Sequence, residues 1–126
     1  MRELEPLHGL RVVTSQEALD TAPWTDRVVV LRFAPDDAMI LGETTLDLSG
    51  ESAIVVDEAG FVGCWLSTQE LADHVLPHVD WSLPDERPVL AQGLVAGVPA
   101  KLWLTTDQSL LLCAAPYAHE LSERLA

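Results

Sequence analysis

The chain has 126 residues, of which 48% are apolar and 21% charged, as in a folded globular protein. At this length a chain forms about one domain and can hold a core without metals or disulfide bonds. Its net charge of -13, with twenty acidic residues, seven basic ones and no basic run, argues against nucleic acid and membrane surfaces as partners.

The chain shows no targeting or membrane-spanning pattern. Its first residues lack the apolar core of a signal peptide, and no apolar run approaches the length needed to cross a bilayer. Cys64 and Cys113 both lie in apolar segments, which favours buried free thiols over a disulfide. We therefore expect a soluble, cytoplasmic protein.

The first third of the chain predicts a strand, a short helix and a hairpin. The strand spans residues 10–13, and Thr14 is the predicted N-cap of the helix, with Glu17 completing a capping box and Pro23 following the helix end. The hairpin has turn residues at 35–37 between two strands predicted at 27–34 and 38–42.

The middle of the chain predicts a connection, a second hairpin and a second helix. Residues 43–52 have no firm period and are expected to connect two elements. The hairpin has its strands at 54–57 and 61–66, with the turn at 58–60. Ser67 and Glu70 form a capping box for a helix that runs to about residue 79. Its apolar positions fall on one arc: Leu71, Ala72, Val75, Leu76 and Val79.

The last third predicts three strands and a closing helix after a Pro-containing linker at residues 81–87. The strands are expected at 89–95, 100–105 and 109–115, with turns at 96–99 and 106–108. Pro116 suits the first position of the helix. The residues expected on its inner arc are Tyr117, Ala118, Leu121 and Leu125. On its surface, Glu120 and Arg124 are expected to form an ion pair. About seven strands and three helices predict one mainly antiparallel α+β domain over residues 1–126.

Candidate catalytic and metal-binding residues each have a simpler structural explanation. His74 and His78 are four apart on the predicted helix, as in some zinc sites, but Val75 stands where a zinc peptidase has its glutamate. Cys64 could act as a nucleophile only in an open, electropositive setting, and it lies between Gly63 and Trp65 in an apolar segment. We predict a helix flank and a core thiol, with no catalytic, cofactor-binding or metal-binding residue.

Three further pairs of residues are candidate binding features. Gly93 and Gly97 lack the spacing of phosphate-binding loops, so we expect them to serve turns and close strand packing. Asp36 and Asp37 are typical of a turn. Trp24 and Trp81 lie in Pro-flanked connections, where a large ring either covers the core or contacts a partner; they are the candidate partner-contact residues.

Four collinear patches carry a resemblance to a known family. Residues 33–42 (FAPDDAMILG) are similar to a hairpin with the pattern G-P-D-E-W-L-L-L. The family has a D-V-S stretch followed by a helix, to which residues 56–79 are similar. Its strand pair, A-Q-T-x-L-x-G-V, is similar to residues 90–102 (LAQGLVAGVPAKL), and its closing helix, P-R-S-F-A, is similar to residues 115–125 (APYAHELSERL). From about residue 28 to 126, the order of these features resembles that of the gamma subunit of heterotetrameric sarcosine oxidase. That family belongs to the folate-binding, aminomethyltransferase-like group. The Arg-Ser pair of the last pattern is absent, since Ala115 and Pro116 precede Tyr117.

This resemblance implies a fold like the first domain of aminomethyltransferase-like proteins and a role in one-carbon metabolism. In such enzymes the larger subunits carry flavin, NAD and folate, so this chain would bind no cofactor itself. The expected function is that of a non-catalytic accessory or assembly subunit that binds a larger protein or another copy of itself. Two alternatives stay open: a small folate-type ligand-binding module, and a protein that acts alone.

Overall fold

The computed structural model describes residues 1–42, 48 and 52–126. In this part of the chain there are seven β-strands and three α-helices, and the strand pairs described below are all antiparallel, which confirms the predicted α+β class. The residues divide into two compact units, each described by itself: an N-terminal unit (Leu7–Ala59) and a C-terminal unit (Met1–Pro6 with Gly60–Ala126). The single domain remains a prediction.

The N-terminal unit holds three paired strands and one helix. Strand β1 (Glu5–Val13) is longer than the predicted 10–13, and β2 (Val29–Ala34) and β3 (Asp37–Leu41) form the predicted hairpin, β2 starting two residues late. Strand β3 lies between β1 and β2, with Leu41 opposite both Gly9 and Val29. The predicted connection at 43–52 falls largely outside the described residues. A small core joins the sheet and the helix: Val12, Leu19, Ala38, Ile40 and Leu48.

Helix α1 (Gln16–Thr21) is capped by Ser15, so the predicted capping box of Thr14 and Glu17 is wrong. The Ser15 Oγ accepts a hydrogen bond of 3.1 Å from the Ala18 amide. Thr14 is buried, and its amide donates to the Asp36 carbonyl at 3.1 Å, so it ends the strand rather than starting the helix. Both residues are good N-caps, and the contact with Asp36 decides between them.

Strand β4 (Ile54–Ser67) is one continuous strand, and the predicted hairpin with a turn at residues 58–60 is wrong. From Phe61 onward β4 pairs with a strand near the end of the chain, β7 (Gln108–Ala114). A Glu-Ala-Gly sequence favours a turn, but it is only a local preference, and pairing with a distant strand outweighs it.

The sheet of the C-terminal unit has the order β4–β7–β6–β5, with β5 (Val89–Val95) outermost. Strand β6 is Val98–Leu104. Helices α2 (Thr68–His74) and α3 (Ala118–Leu125) contribute to the core on one face of this sheet. The largest fully buried members of that core are Leu66, Val75, Leu102, Leu104, Leu111 and Leu121.

Helix α2 begins at the predicted capping box but ends earlier than predicted. The Glu70 amide donates to Ser67 Oγ at 3.1 Å, and the Ser67 amide donates to Glu70 Oε1 at 3.0 Å, which confirms the box. The helix ends at His74, and a short 3-10 turn follows at Leu76–His78 with Pro77 inside it. Proline has no amide hydrogen and disfavours helical backbone before it, so the α-helix cannot continue. Of the predicted apolar arc, Ala72 is exposed.

The turn between β5 and β6 has two residues instead of the predicted four. Ala96 and Gly97 have φ angles of +51° and +78°, as in a type I′ hairpin turn that matches strand twist. Val98 therefore pairs directly with Val95. The Ala96 amide donates to the His78 carbonyl at 2.9 Å, which ties the 3-10 turn after α2 to this hairpin turn.

The chain ends in a 3-10 turn at Ala115–Tyr117 followed by α3, so Pro116 precedes the α-helix rather than opening it. Leu121 and Leu125 are buried as predicted, whereas Tyr117 is exposed, contrary to its predicted place on the inner arc. The predicted ion pair of Glu120 with Arg124 is present, and Arg124 also donates to the Ala96 carbonyl at 2.7 Å.

Candidate functional site: an apolar groove with one lysine

The two faces of the C-terminal sheet differ in what lies on them. Side chains alternate between faces along a strand, so on β6 Val98, Ala100, Leu102 and Leu104 join the core beneath the helices. The residues between them face the other way. On that opposite face four apolar residues lie in register across the four strands: Trp65, Leu110, Trp103 and Leu90. Both tryptophans are only partly buried.

Beside this row the same face carries an open groove with a volume of about 460 Å³. Its walls are mostly apolar and include one aromatic ring from β4 and one from the turn before α3: Phe61, Leu94, Pro99, Ala114 and Tyr117. Leu94 and Tyr117 are 51% and 41% exposed, which is high for large apolar side chains. A groove of this size and composition is typical of sites for small organic molecules.

Two polar side chains lie in the groove and contact each other. Gln92 and Lys101 are directly opposite on β5 and β6, and Lys101 Nζ donates to Gln92 Oε1 at 2.6 Å. Lys101 is the only lysine of the chain. Among the described residues that line the groove it is the one charged side chain, and none is a carboxylate.

Trp81, a predicted partner-contact candidate, is partly buried and packs against the core. Its Nε1 donates to the Leu94 carbonyl at 2.7 Å. A Cβ placed on Gly93 would lie 2.6 Å from the indole ring, so only glycine leaves room for Trp81. Gly93 thus makes room for a side chain rather than for the close packing of strands that was expected, whereas the expected turn role of Gly97, whose φ is positive, is confirmed.

Trp24, the other candidate, is also partly buried, and its Nε1 donates to the Leu19 carbonyl at 3.2 Å. It packs against the core of the N-terminal unit. Both indoles thus cover a core and hydrogen-bond to the chain itself. A partner contact through their exposed parts stays a prediction.

The two histidines of the metal hypothesis lie in different elements, because α2 ends at His74 and His78 falls in the 3-10 turn. Both are exposed. The described residues contain no group of three metal-binding side chains. Nor has any helix in the described ranges the length and apolarity needed to cross a membrane.

Cys64 and Cys113 are both free and buried, as predicted. Burial raises the pKa of the Cys64 thiol from 9.0 to about 11 and also raises the pKa of Cys113. Above pH 9.0 the unfolded chain therefore ionises first, so rising pH lowers the stability of the fold through these thiols.

We expect both thiols to react with Ellman's reagent at pH 8 at least tenfold more slowly than free cysteine, because the thiolate is the reactive form and is scarce here. Denaturant should make both react rapidly. The rate of thiol release in native and denatured protein measures this. A native thiol as fast as free cysteine would contradict the burial that the structure shows.

An ion-pair cluster in the N-terminal unit was missed by sequence reasoning, which assigned Asp37 to a turn. Arg11 on β1 binds both carboxylate oxygens of Asp37 on β3, with Nε and Nη2 at 2.6 and 2.7 Å. Its Nη1 donates to Glu58 Oε1 on β4 at 2.8 Å. The guanidinium lies 4.7 Å from the centre of the Phe33 ring. The hydrogen bonds to the Asp37 carboxylate are the main reason why the pKa of Arg11 is raised, so the guanidinium stays charged.

The first residues of β4 form an exposed apolar run. Ile54, Val55 and Val56 are 62%, 46% and 52% exposed, although consecutive residues of a strand point to opposite faces. Exposed apolar side chains are ordinary when scattered, whereas a contiguous run is typical of a binding surface.

In comparisons with known protein families, with curated proteins and with solved structures, the chain matches none.

Proposed function

We propose that this chain is a non-catalytic subunit that binds a larger protein through the exposed run of residues 54–56 at the start of β4. The observation that carries the proposal is the exposure of three consecutive β-branched side chains on both faces of one strand. Covering such a surface with a partner removes apolar area from water, which is a main source of affinity in permanent complexes.

The composition of the chain indicates what the partner surface is like. With a net charge of -13 and Asp57 exposed directly after the run, this chain favours a partner whose apolar patch has a basic rim. The two buried free thiols suit the reducing cytoplasm, which we propose as the location.

The resemblance of residues 33–42, 56–79, 90–102 and 115–125 to the gamma subunit of sarcosine oxidase supports the identity of the partner. We propose a larger alpha-like chain of a one-carbon flavoenzyme that holds flavin, NAD or folate, and for this chain a fold like the first domain of aminomethyltransferase-like proteins. In that complex the chain supports assembly and contributes no catalytic group.

The test is co-expression of the tagged chain with the proteins encoded beside its gene. We expect one larger protein to co-purify in fixed ratio and to carry flavin absorbance. Val55→Glu and Val56→Glu, which place a charge on either face of the run, should each weaken the complex about tenfold or more. Thr106→Glu, in the exposed turn between β6 and β7, adds the same charge elsewhere and should leave it unchanged.

Two outcomes would count against the proposal in different ways. If no neighbouring protein co-purifies and the chain is a monomer, the subunit function is wrong. If a partner co-purifies equally well with both valine variants, the function stands but the contact surface lies elsewhere.

A further inference from the structure

The exposed run of residues 54–56 lies in the half of β4 that precedes its pairing with β7. That pairing begins at Phe61, which lies opposite Ala114, the last residue of β7. Strand β4 itself begins seven residues earlier, at Ile54. The pairing with β7 thus accounts for the second half of β4 only, although the first half has the same extended backbone.

The alternation of backbone groups shows which residues of the run present their amides on the β7 side of the strand. In an antiparallel sheet, successive residues of one strand bond to opposite neighbours. The Thr105 amide donates to the Gln108 carbonyl, so the even-numbered residues of β7 bond to β6 and the odd-numbered ones to β4. The partners of those odd-numbered residues are the even-numbered residues of β4. By the same alternation, Ile54 and Val56 present their amides and carbonyls to that side, and Val55 to the other.

The other side of this segment belongs to β1. Strands β1 and β4 are neighbours in the sheet, and within the N-terminal unit Arg11 of β1 binds Glu58 of β4. The backbone groups of Val55 are therefore directed towards a strand of the same chain, whereas those of Ile54 and Val56 are directed away from it. A strand edge of this kind, with exposed apolar side chains, is where an extended segment of another chain adds to a sheet.

The side chains of the run favour strand addition over contact with a flat apolar patch. Ile54 and Val56 lie on one face of the strand and Val55 on the other, and all three are exposed. A patch on one face would leave the other face in water. An added strand carries its own alternating side chains along both faces, where they pair with those of its neighbour.

The charges favour a different protein over a second copy of this chain as the source of the added strand. Two copies would each carry a net charge of -13, whereas a segment with lysine or arginine would be attracted to Asp57, which is exposed directly after the run. We propose, resting on the subunit function above, that the larger partner contributes an extended segment of β-branched and basic residues. It adds to β4 on the side of the Ile54 and Val56 backbone groups.

Proline tests the main-chain bonds in the co-purified complex. Val56→Pro removes an amide hydrogen that faces the added strand and none that faces β1, and Val56→Ala shortens the side chain but keeps that amide. We expect the proline variant to bind the partner about tenfold or more weakly than the alanine variant. Equal affinity of the two variants, both folded by thermal unfolding, would overturn strand addition and leave the subunit function standing.

Amide hydrogen exchange of the unsubstituted chain, resolved by NMR, gives the same answer if Val56→Pro does not fold. The amides of Ile54 and Val56 should exchange about tenfold or more slowly in the complex than in the free chain, and that of Val55 should change less, because it already faces β1. Unchanged exchange at Ile54 and Val56 in the complex would contradict the proposal.

A synthetic peptide separates failure of this inference from failure of the subunit function. The probe is a short capped peptide in which valine alternates with lysine and threonine, and its control has glutamate in place of lysine. If no partner co-purifies, the subunit function is wrong, and the peptide decides whether the edge accepts a strand. In NMR titrations of the full chain, we expect the lysine peptide to shift the amides of residues 54–57 with a dissociation constant below about 1 mM, and the glutamate peptide to bind about tenfold more weakly.

Three results with the full chain would overturn the proposal. The first is the absence of a saturable shift with the lysine peptide up to about 5 mM, and the second is equal affinity of the two peptides. The third is a dimer of this chain that Val56→Pro converts to a monomer while Val56→Ala does not, since the added strand would then come from a second copy.

Discussion

Replacing Trp81 with alanine is expected to lower the free energy of unfolding by about 3 kcal/mol. The ring packs against the core of the C-terminal unit, and its Nε1 donates to the Leu94 carbonyl. The substitution removes the apolar contact and leaves that carbonyl without its indole donor. Trp81→Phe keeps most of the contact and should lose only about 1 kcal/mol. Urea titration followed by circular dichroism measures both.

Gly93 gives this prediction an internal control. A Cβ on Gly93 would meet the indole at 2.6 Å, so Gly93→Ala should displace the ring and destabilise the fold by about 1–3 kcal/mol. Once Trp81 is alanine, that clash no longer exists. The double variant should therefore be more stable than the sum of the two single losses implies. Strictly additive losses would show that Trp81 and Gly93 do not contact each other.

Replacing Arg11 with methionine is expected to cost about 2–3 kcal/mol of stability, because two partly buried carboxylates then lose their common cation. Met retains much of the apolar stem, so the loss reports mainly on the charge. Arg11→Lys should recover only part of it, since lysine cannot bind both oxygens of Asp37 and a third acceptor in the same plane. Chemical denaturation of the three proteins gives the comparison.

Arg27→Met serves as the matched control for this prediction. Arg27 is exposed, and its replacement removes the same charge from the same unit. Surface substitutions of this kind change stability by about 0.5 kcal/mol or less. If Arg11→Met lowered the stability no more than Arg27→Met does, the cluster would contribute no net stability. Some partly buried ion pairs behave in this way.

Features that depend on neighbouring residues could be predicted from the sequence. The capping box of Ser67 and Glu70 and the ion pair of Glu120 with Arg124 are formed within four residues, and both are present. The mostly apolar segment 89–95, followed by turn residues, was also sufficient to locate β5. The contacts of the capping box and of the ion pair lie inside one segment, so the local pattern contains them, and β5 pairs with the strand that follows it directly in the chain.

Features that depend on distant contacts could not be predicted. The turn residues at 58–60 stay extended because the following residues of β4 pair with β7, and Asp37 leaves its expected turn because Arg11 binds it from another strand. The groove shows the same limit. A four-residue turn at 96–99 would have set Gln92 opposite Trp103, and the two-residue turn moves it to Lys101. Only the register of the hairpin places the polar pair.

The contacts that Trp81 and His78 make with the β5 end of the hairpin have a consequence for the solubility of the chain. Strand β5 is outermost in its sheet, and the outer side of such a strand offers unpaired amides and carbonyls to any other extended chain. Here the Leu94 carbonyl is occupied by the indole and the Ala96 amide by the His78 carbonyl. Trp81 and His78 thus close the hairpin end of the strand against edge-to-edge aggregation, a protective role for a tryptophan that the sequence offered as a core cover or a partner contact.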